Sequence, residues 1–241
     1  MSLMPLKRVC QQLTLLTTLL LASSASFSAD NQIDFTALFS QQASSSELEQ
    51  LTQQLSPSPQ AKGRFTQYRY LKVLKKPLVS HGNFVFSKQL GIVWQQQSPF
   101  SSTLILQAGR LTQIDSQGQI QVTAQQPASA SQLSQLMPTL LNALLSGDLH
   151  TLQQHFKLSI HSATSSNPQW QLGLIPIDPM VQKAMPRLVL TGEQKIQTLT
   201  LFSDNQDRSR IEFSELVEQP LTEQDKARFS PAMADNLRES Q

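Results

Sequence analysis

What most constrains this chain is a long series of short segments whose apolar residues recur at every second position, with turn residues rather than helices between them. Residues 63–70 open the series, and Lys75-Lys76-Pro77 reads as a turn. Residues 80–87 follow, with Phe84 and Phe86 on one side, then 91–95, with Ile92 and Trp94 on one side. Residues 103–107 and 111–115 meet across Ala108-Gly109, and Asp115-Ser116-Gln117-Gly118 turns the chain into 119–123. A second group comprises 156–161, 169–174, 187–190, 195–202 and 208–213, with Asp204-Asn205-Gln206-Asp207 as a hairpin turn. Close spacing without intervening helices predicts an antiparallel meander in a mainly β protein.

Helical spacing is confined to a few places. Residues 34–55 carry Phe35, Leu38 and Phe39 on one face and Leu48, Leu51 and Leu55 on another. Ser44-Ser45-Ser46 breaks this stretch in two, with Ser46 the predicted cap of the second piece. Leu133, Leu136, Met137, Leu140, Leu141, Leu144 and Leu145 form a continuous apolar stripe between the two groups of strands. Ser131 caps its start, Gly147 its end, and Pro138 kinks it or begins a new helix. Short helices are predicted from Asp148, from Asp178-Pro179 and over 222–229.

The N-terminus has the pattern of a secretory signal: basic Lys7 and Arg8, an apolar run over 13–22, then small residues. Residues 1–28 are expected to be removed after Ser28 (or after Ala25), leaving 29–241 as a single domain in the periplasm. The apolar run is short of the roughly 20 residues that span a bilayer. Cys10 is the only cysteine and precedes that run, so the mature chain has neither a disulfide nor a thiolate metal site. Loss of Lys7 and Arg8 leaves 17 of the 19 basic residues against 17 acidic ones, which excludes a polyanion binder by bulk charge.

Catalytic signatures are lacking. There is no nucleophile elbow and no phosphate-binding Gly-rich loop. His81, His150, His155 and His161 have no metal-site spacing, so neither metal nor cofactor is expected. An enzyme acting on lipids would need a nucleophile–base or metal constellation, so the expected protein is not an enzyme. Lys62, Arg64, Arg69, Lys72, Lys75 and Lys76, interleaved with Tyr68 and Tyr70, form a basic run. It reads either as a solvated strand face or as a surface meeting phosphates of nucleic acid or lipid headgroups.

From Gly63 onward the chain resembles the LolA-like family of periplasmic outer-membrane lipoprotein carriers. The resemblance is carried by Gly63-x-Phe65-x-Gln67, Pro77, Gly82-x-Phe84-x-Phe86, Gly91-Ile92-x-Trp94 and Ser98-Pro99-Phe100. It continues through Phe156, Trp170-x-Leu172-x-Leu174-x-Pro176, Leu188 to Gly192 and Ile196-x-x-Leu199-x-Leu201. It implies an incomplete antiparallel barrel, a curved sheet whose apolar concave face is closed by a helical lid over acyl chains. On that model Phe84, Phe86, Ile92, Trp94 and Leu104 line the cavity, and Leu136, Leu140 and Leu144 face them from the lid. On the residues alone, a filled core without a cavity is the better reading of Phe84, Phe86, Ile92 and Trp94, and it is the resemblance that turns the reading to a cavity.

Lys88 and Gln89 stand where the family often has an Arg-Pro pair whose Arg helps hold the closed state. A lysine lacks the planar guanidinium fork. Lys88 and Pro138 are therefore the predicted closure elements, and the departure leaves open another lipid or glycolipid as cargo. The implied partners are lipid or lipoprotein acyl chains, an inner-membrane donor and an outer-membrane acceptor, with no nucleic acid, for a monomeric carrier. A regulatory module sensing envelope lipids or peptides is the alternative the same sheet allows.

Overall fold

The computed structural model describes residues 35–55, 58–107, 110–124, 143, 148–165 and 167–230. The predicted signal segment, the whole Leu-rich stripe, including Leu136, Leu140 and Leu144, and Pro138 lie outside these residues. Every predicted strand is present: β1 (Gln60–Tyr70), β2 (Leu78–Ser87), β3 (Gly91–Ser98), β4 (Ser102–Gln107), β5 (Arg110–Ile114), β6 (Ile120–Ala124), β7 (Phe156–His161), β8 (Trp170–Pro176), β9 (Arg187–Gly192), β10 (Ile196–Phe202) and β11 (Arg208–Val217). They form one antiparallel sheet of 11 strands in the order β6-β5-β4-β3-β2-β1-β11-β10-β9-β8-β7. The sheet is curved and does not close into a barrel. Two meanders are thus joined through their first and last strands, β1 and β11, and the free edges are β6 and β7.

Side chains opposite each other in register share a face. One ladder runs Phe84, Trp94, Leu104 across β2, β3 and β4, with Phe86, Ile92, Leu106 beside it. In the other meander Ile160, Leu172, Leu190, Leu199 and Ile211 run across β7 to β11 on the same face. The register of Phe65 with Phe213 and with Gly82 joins the two halves. Three short helices cover the second half of this inner face: α1 (Ser45–Gln54), α2 (Leu149–Gln153) and α3 (Pro179–Ala184). Leu48, Leu51, Leu55, Leu149, Leu152 and Val181 are their buried contributions to the main core.

The cap of α1 corrects the expectation at Ser46. Ser44 is the N-cap, its hydroxyl accepting from the Glu47 amide while the Glu47 carboxylate accepts from the Ser44 amide. The preceding residue decides this. The Ala43 N–H donates to the Leu158 carbonyl on edge strand β7, at 2.8 Å. The chain thereby blunts that edge as it passes round it. It arrives there from a 3-10 turn, Ala37–Ser40, whose Leu38 and Phe39 lie against Gly173 on the outer face. Asp148, Asp178 and Thr222 cap their helices as expected.

The outer face of β2 to β5 is also buried. Val85, Val93, Ile105 and Ile114 pack under Leu221 and Phe229, which flank helix α4 (Glu223–Ala227). Polar contacts hold this helix in place. Lys62 Nζ lies 2.8 Å from the Asp225 carboxylate, and the Thr222 hydroxyl and amide donate to the same group. The Leu221 amide donates to the Gln60 side chain at 2.6 Å, and Arg228 donates to Gln95 at 2.7 Å.

Burial acts to raise the Asp225 pKa, but the hydrogen bonds from Lys62 and Thr222 outweigh it and hold the carboxyl below its ordinary value. A depressed folded-state pKa stabilises the fold fully above the unfolded value of about 3.9, and that stability is lost as pH falls through the folded pKa. Asp225→Asn is therefore expected to lower the melting temperature at neutral pH and to leave it nearly unchanged in strong acid. The loss should be on the order of 1 kcal/mol, because Lys62 is partly exposed to solvent. An unchanged neutral melt would show that the clamp does not hold α4.

Candidate functional site

The candidate site is the inner face of β1 to β4. Gly63 and Gly82 make its packing possible. A Cβ on Gly82 would lie 2.1 Å from the Gln95 carbonyl oxygen and 2.5 Å from the Phe65 ring, so Phe65 leans across bare backbone. Its ring thereby reaches β3 and stacks on Trp94, with centroids 3.8 Å apart and planes at 21°. Phe84 lies parallel to Trp94 at 6.1 Å, and Phe213 meets Phe84 edge-on at 5.6 Å. Such offset and edge-to-face pairs add to the burial energy of the rings. Gly91 has φ 106°, a left-handed conformation that turns the chain into β3 directly over Leu106.

The structure places the sequence-predicted residues as follows. Phe84, Phe86, Ile92, Trp94 and Leu104 share the inner face. Phe84, Phe86 and Ile92 are buried, whereas Trp94 and Leu104 are half-buried. Leu106 and Leu111 extend the half-buried strip toward β5. From the segment predicted as a lid, Ala143 is helical and buried in the main core, and its carbonyl accepts from the Asp148 amide. Lys88 is exposed in the β2–β3 turn, its amide bonded to the Pro59 carbonyl. Its charge acts on Asp148, which begins α2 just after that segment. The Thr151 hydroxyl and amide hold the Asp148 carboxyl below its usual range, and His150 and Lys88 add to this.

Sequence reasoning missed Phe65, Phe213 and Leu216 as members of the face. Phe65 and Phe213 had the period-two signal, but nothing in the sequence says that β1 pairs with β11. Leu216 joins Phe213 on the inner side because Glu215, at φ 51°, inserts a bulge that resets the alternation. A separate cleft of about 600 Å³ lies by β7, and its lining mixes polar groups, among them Gln41, His161, Asn167 and Gln171, with apolar Leu38, Ala43 and Ile160. Among the described residues, no cluster of His, Asp and Glu could hold a metal ion.

Residues 40–202 match the family model described as "Outer membrane lipoprotein carrier protein LolA-like". The chain belongs to the LolA-like family. The match runs from the end of the 3-10 turn through β10 and so includes β1 to β4 entire, while Phe213 and Leu216 on β11 lie beyond it. No curated protein matches the sequence. Among solved structures, this LolA-like chain is similar to a LolA superfamily protein from Nitrosomonas europaea, at 9% identity and a TM-score of 0.41, over 73% of this chain and 94% of that one. It is similar to a DUF1329 family protein from Desulfovibrio piger at 10% identity and a TM-score of 0.44, over 78% and 96%. It is also similar to a chain of the MucA/MucB complex of Pseudomonas aeruginosa at 16% identity and a TM-score of 0.37, over 69% and 54%.

Proposed function

We propose that this LolA-like protein is a periplasmic carrier. It takes the acyl chains of a lipoprotein or another lipid against its inner face and moves them toward the outer membrane, without catalysing a reaction. The observation behind this reading is the apolar inner face of β2 to β4, on which Trp94, Leu104 and Leu106 remain half-buried beside a packed aromatic cluster. Family membership supports it.

Each acyl CH₂ removed from water contributes about 0.8 kcal/mol, so ten offer about 8 kcal/mol before the cost of immobilising the chain. That is enough to shield a cargo and still release it to an acceptor that binds it more tightly. The 131–146 segment is the proposed lid, with Pro138 as its weak point. Loading energy would come from an inner-membrane partner, because the sequence carries no nucleotide-binding motif.

The test is Leu104→Glu, which puts a carboxylate on the half-buried strip and not into the packed cluster. Binding of a fluorescent long-chain fatty acid is expected to weaken at least about tenfold, the effect of placing an unpaired charge in an apolar site. The melting temperature should change little. Unchanged fatty-acid affinity in the folded variant would remove the inner face from consideration.

A further inference from the structure

Five of the ten large apolar side chains exposed to solvent among the described residues lie at one end of the sheet. Val73 is 86% exposed and Phe100 is 74% exposed, and Leu74, Leu78 and Val79 are also solvent-facing. Four of these belong to the β1–β2 hairpin and Phe100 to the β3–β4 turn. Register puts both turns at the same end of the sheet, with the β1–β2 tip projecting past the β3–β4 turn: Arg69 pairs with Leu78, whereas Ser98 pairs with His81 and Gln96 with Ser102. Lys72, Lys75 and Lys76 are interleaved with the apolar residues and are exposed. None of the three makes an ion pair with a described acid. Residues 61–114 contain no Asp or Glu. Acids do approach from the neighbouring β10–β11 turn, where Asp204 and Asp207 lie. The Asp207 carboxylate is taken up by the Lys72 backbone amide at 2.9 Å and by the Asn205 side chain at 2.9 Å. Those bonds pin the hairpin tip and leave the lysine side chains outward.

We infer that the tip of the β1–β2 hairpin docks the protein directly on an anionic phospholipid surface. Val73 and Leu74 enter the headgroup region while Lys72, Lys75 and Lys76 meet lipid phosphates. The shape and chemistry select a membrane. A bilayer interface accepts single apolar side chains from a convex tip without a matching pocket, and it attracts lysines as point charges without fixed geometry. A protein partner of ordinary size needs a broad, well-packed patch, which a short hairpin tip does not offer. Nucleic acid would gain nothing from the exposed aliphatic residues, and Tyr70, the nearest tyrosine, is already covered by the Arg208 guanidinium at 4.2 Å from its ring centre. This inference goes beyond the carrier reading and uses a different surface.

The experiment is co-sedimentation of the full chain with vesicles. One set contains phosphatidylethanolamine with phosphatidylglycerol, the other phosphatidylcholine alone, each at low and high salt. The parent protein is expected to pellet with the anionic vesicles and to be released by salt. Each lysine near the surface contributes about fivefold in affinity, so Lys72→Gln with Lys75→Gln and Lys76→Gln should weaken binding on the order of 100-fold. Val73→Ser with Leu74→Ser should weaken it by about tenfold. Both variants should keep the parent melting temperature and fatty-acid affinity, which reads the inner face separately. Equal binding to both vesicle types, parent-like binding by either folded variant, or retention on a DNA duplex, a protein partner or a second copy of the chain without vesicle binding would each overturn the inference. Loss of fatty-acid binding by the parent protein would count against the carrier reading and leave the docking result standing.

Discussion

Gly82→Val is expected to be the most damaging single substitution in the sheet, costing about 4 kcal/mol, in the range reached by few point changes. The new Cβ would lie 2.1 Å from the Gln95 carbonyl oxygen, which is backbone and cannot swing away. It would also meet the Phe65 ring, which cannot move without leaving Trp94. Relief therefore requires β2 and β3 to separate. Thermal melting will show the loss, and Gly82→Ala should already show much of it. In a double-mutant cycle with Phe65→Ala, the coupling will report only the ring clash, because the carbonyl contact remains in both backgrounds. A Gly82→Ala protein that melts like the parent would show that β3 does not run as close to β2 as the register requires.

Trp170→Ala is expected to rank next. Trp170 is fully buried, its indole N–H donates to the Glu193 carbonyl at 2.7 Å, and its ring fills the space left by Gly192 opposite. Truncation of a buried aromatic costs about 3–5 kcal/mol through lost burial and the cavity left behind. In a domain of this size that lowers the melting temperature by about 10 °C. Trp170→Phe keeps most of the apolar area and loses the hydrogen bond, worth about 1 kcal/mol. Its melting loss should be under half that of the Ala variant. Equal losses would mean that the hydrogen bond, and not the packing, holds β8 to β9.

The strands were legible because alternation in a half-buried strand is a direct record of which side faces the core. Where both sides are covered that record is ambiguous. Phe84-Val85-Phe86, Ile92-Val93-Trp94 and Leu104-Ile105-Leu106 are continuous apolar runs, and the middle residue of each is buried under the C-terminal helix. The runs are visible in the sequence, but a continuous apolar run does not say that both of its faces are covered. Ser44-x-x-Glu47 and Ser46-x-x-Glu49 both have the capping-box pattern. The choice depends on the Ala43 amide reaching Leu158, a contact far away in sequence. The candidate face was half legible for a related reason. Phe84 and Trp94 are neighbours through local hairpins, whereas Phe65 and Phe213 meet only when the two ends of the sheet-forming chain come together.

That pairing also sets the order in which the sheet can be completed as the chain enters the compartment where it folds. β1 is the first strand to emerge, and its second partner, β11, is the last. Until then β1 is an open edge 11 residues long, and the ring of Phe65 lacks the cover that Phe213 supplies. Long-range strand pairing is slow, and an unpaired edge with exposed aromatic surface invites association with other chains. A chain that has emerged only as far as Arg208 is therefore a sticky intermediate, and its safe passage depends on how quickly the last hairpin arrives.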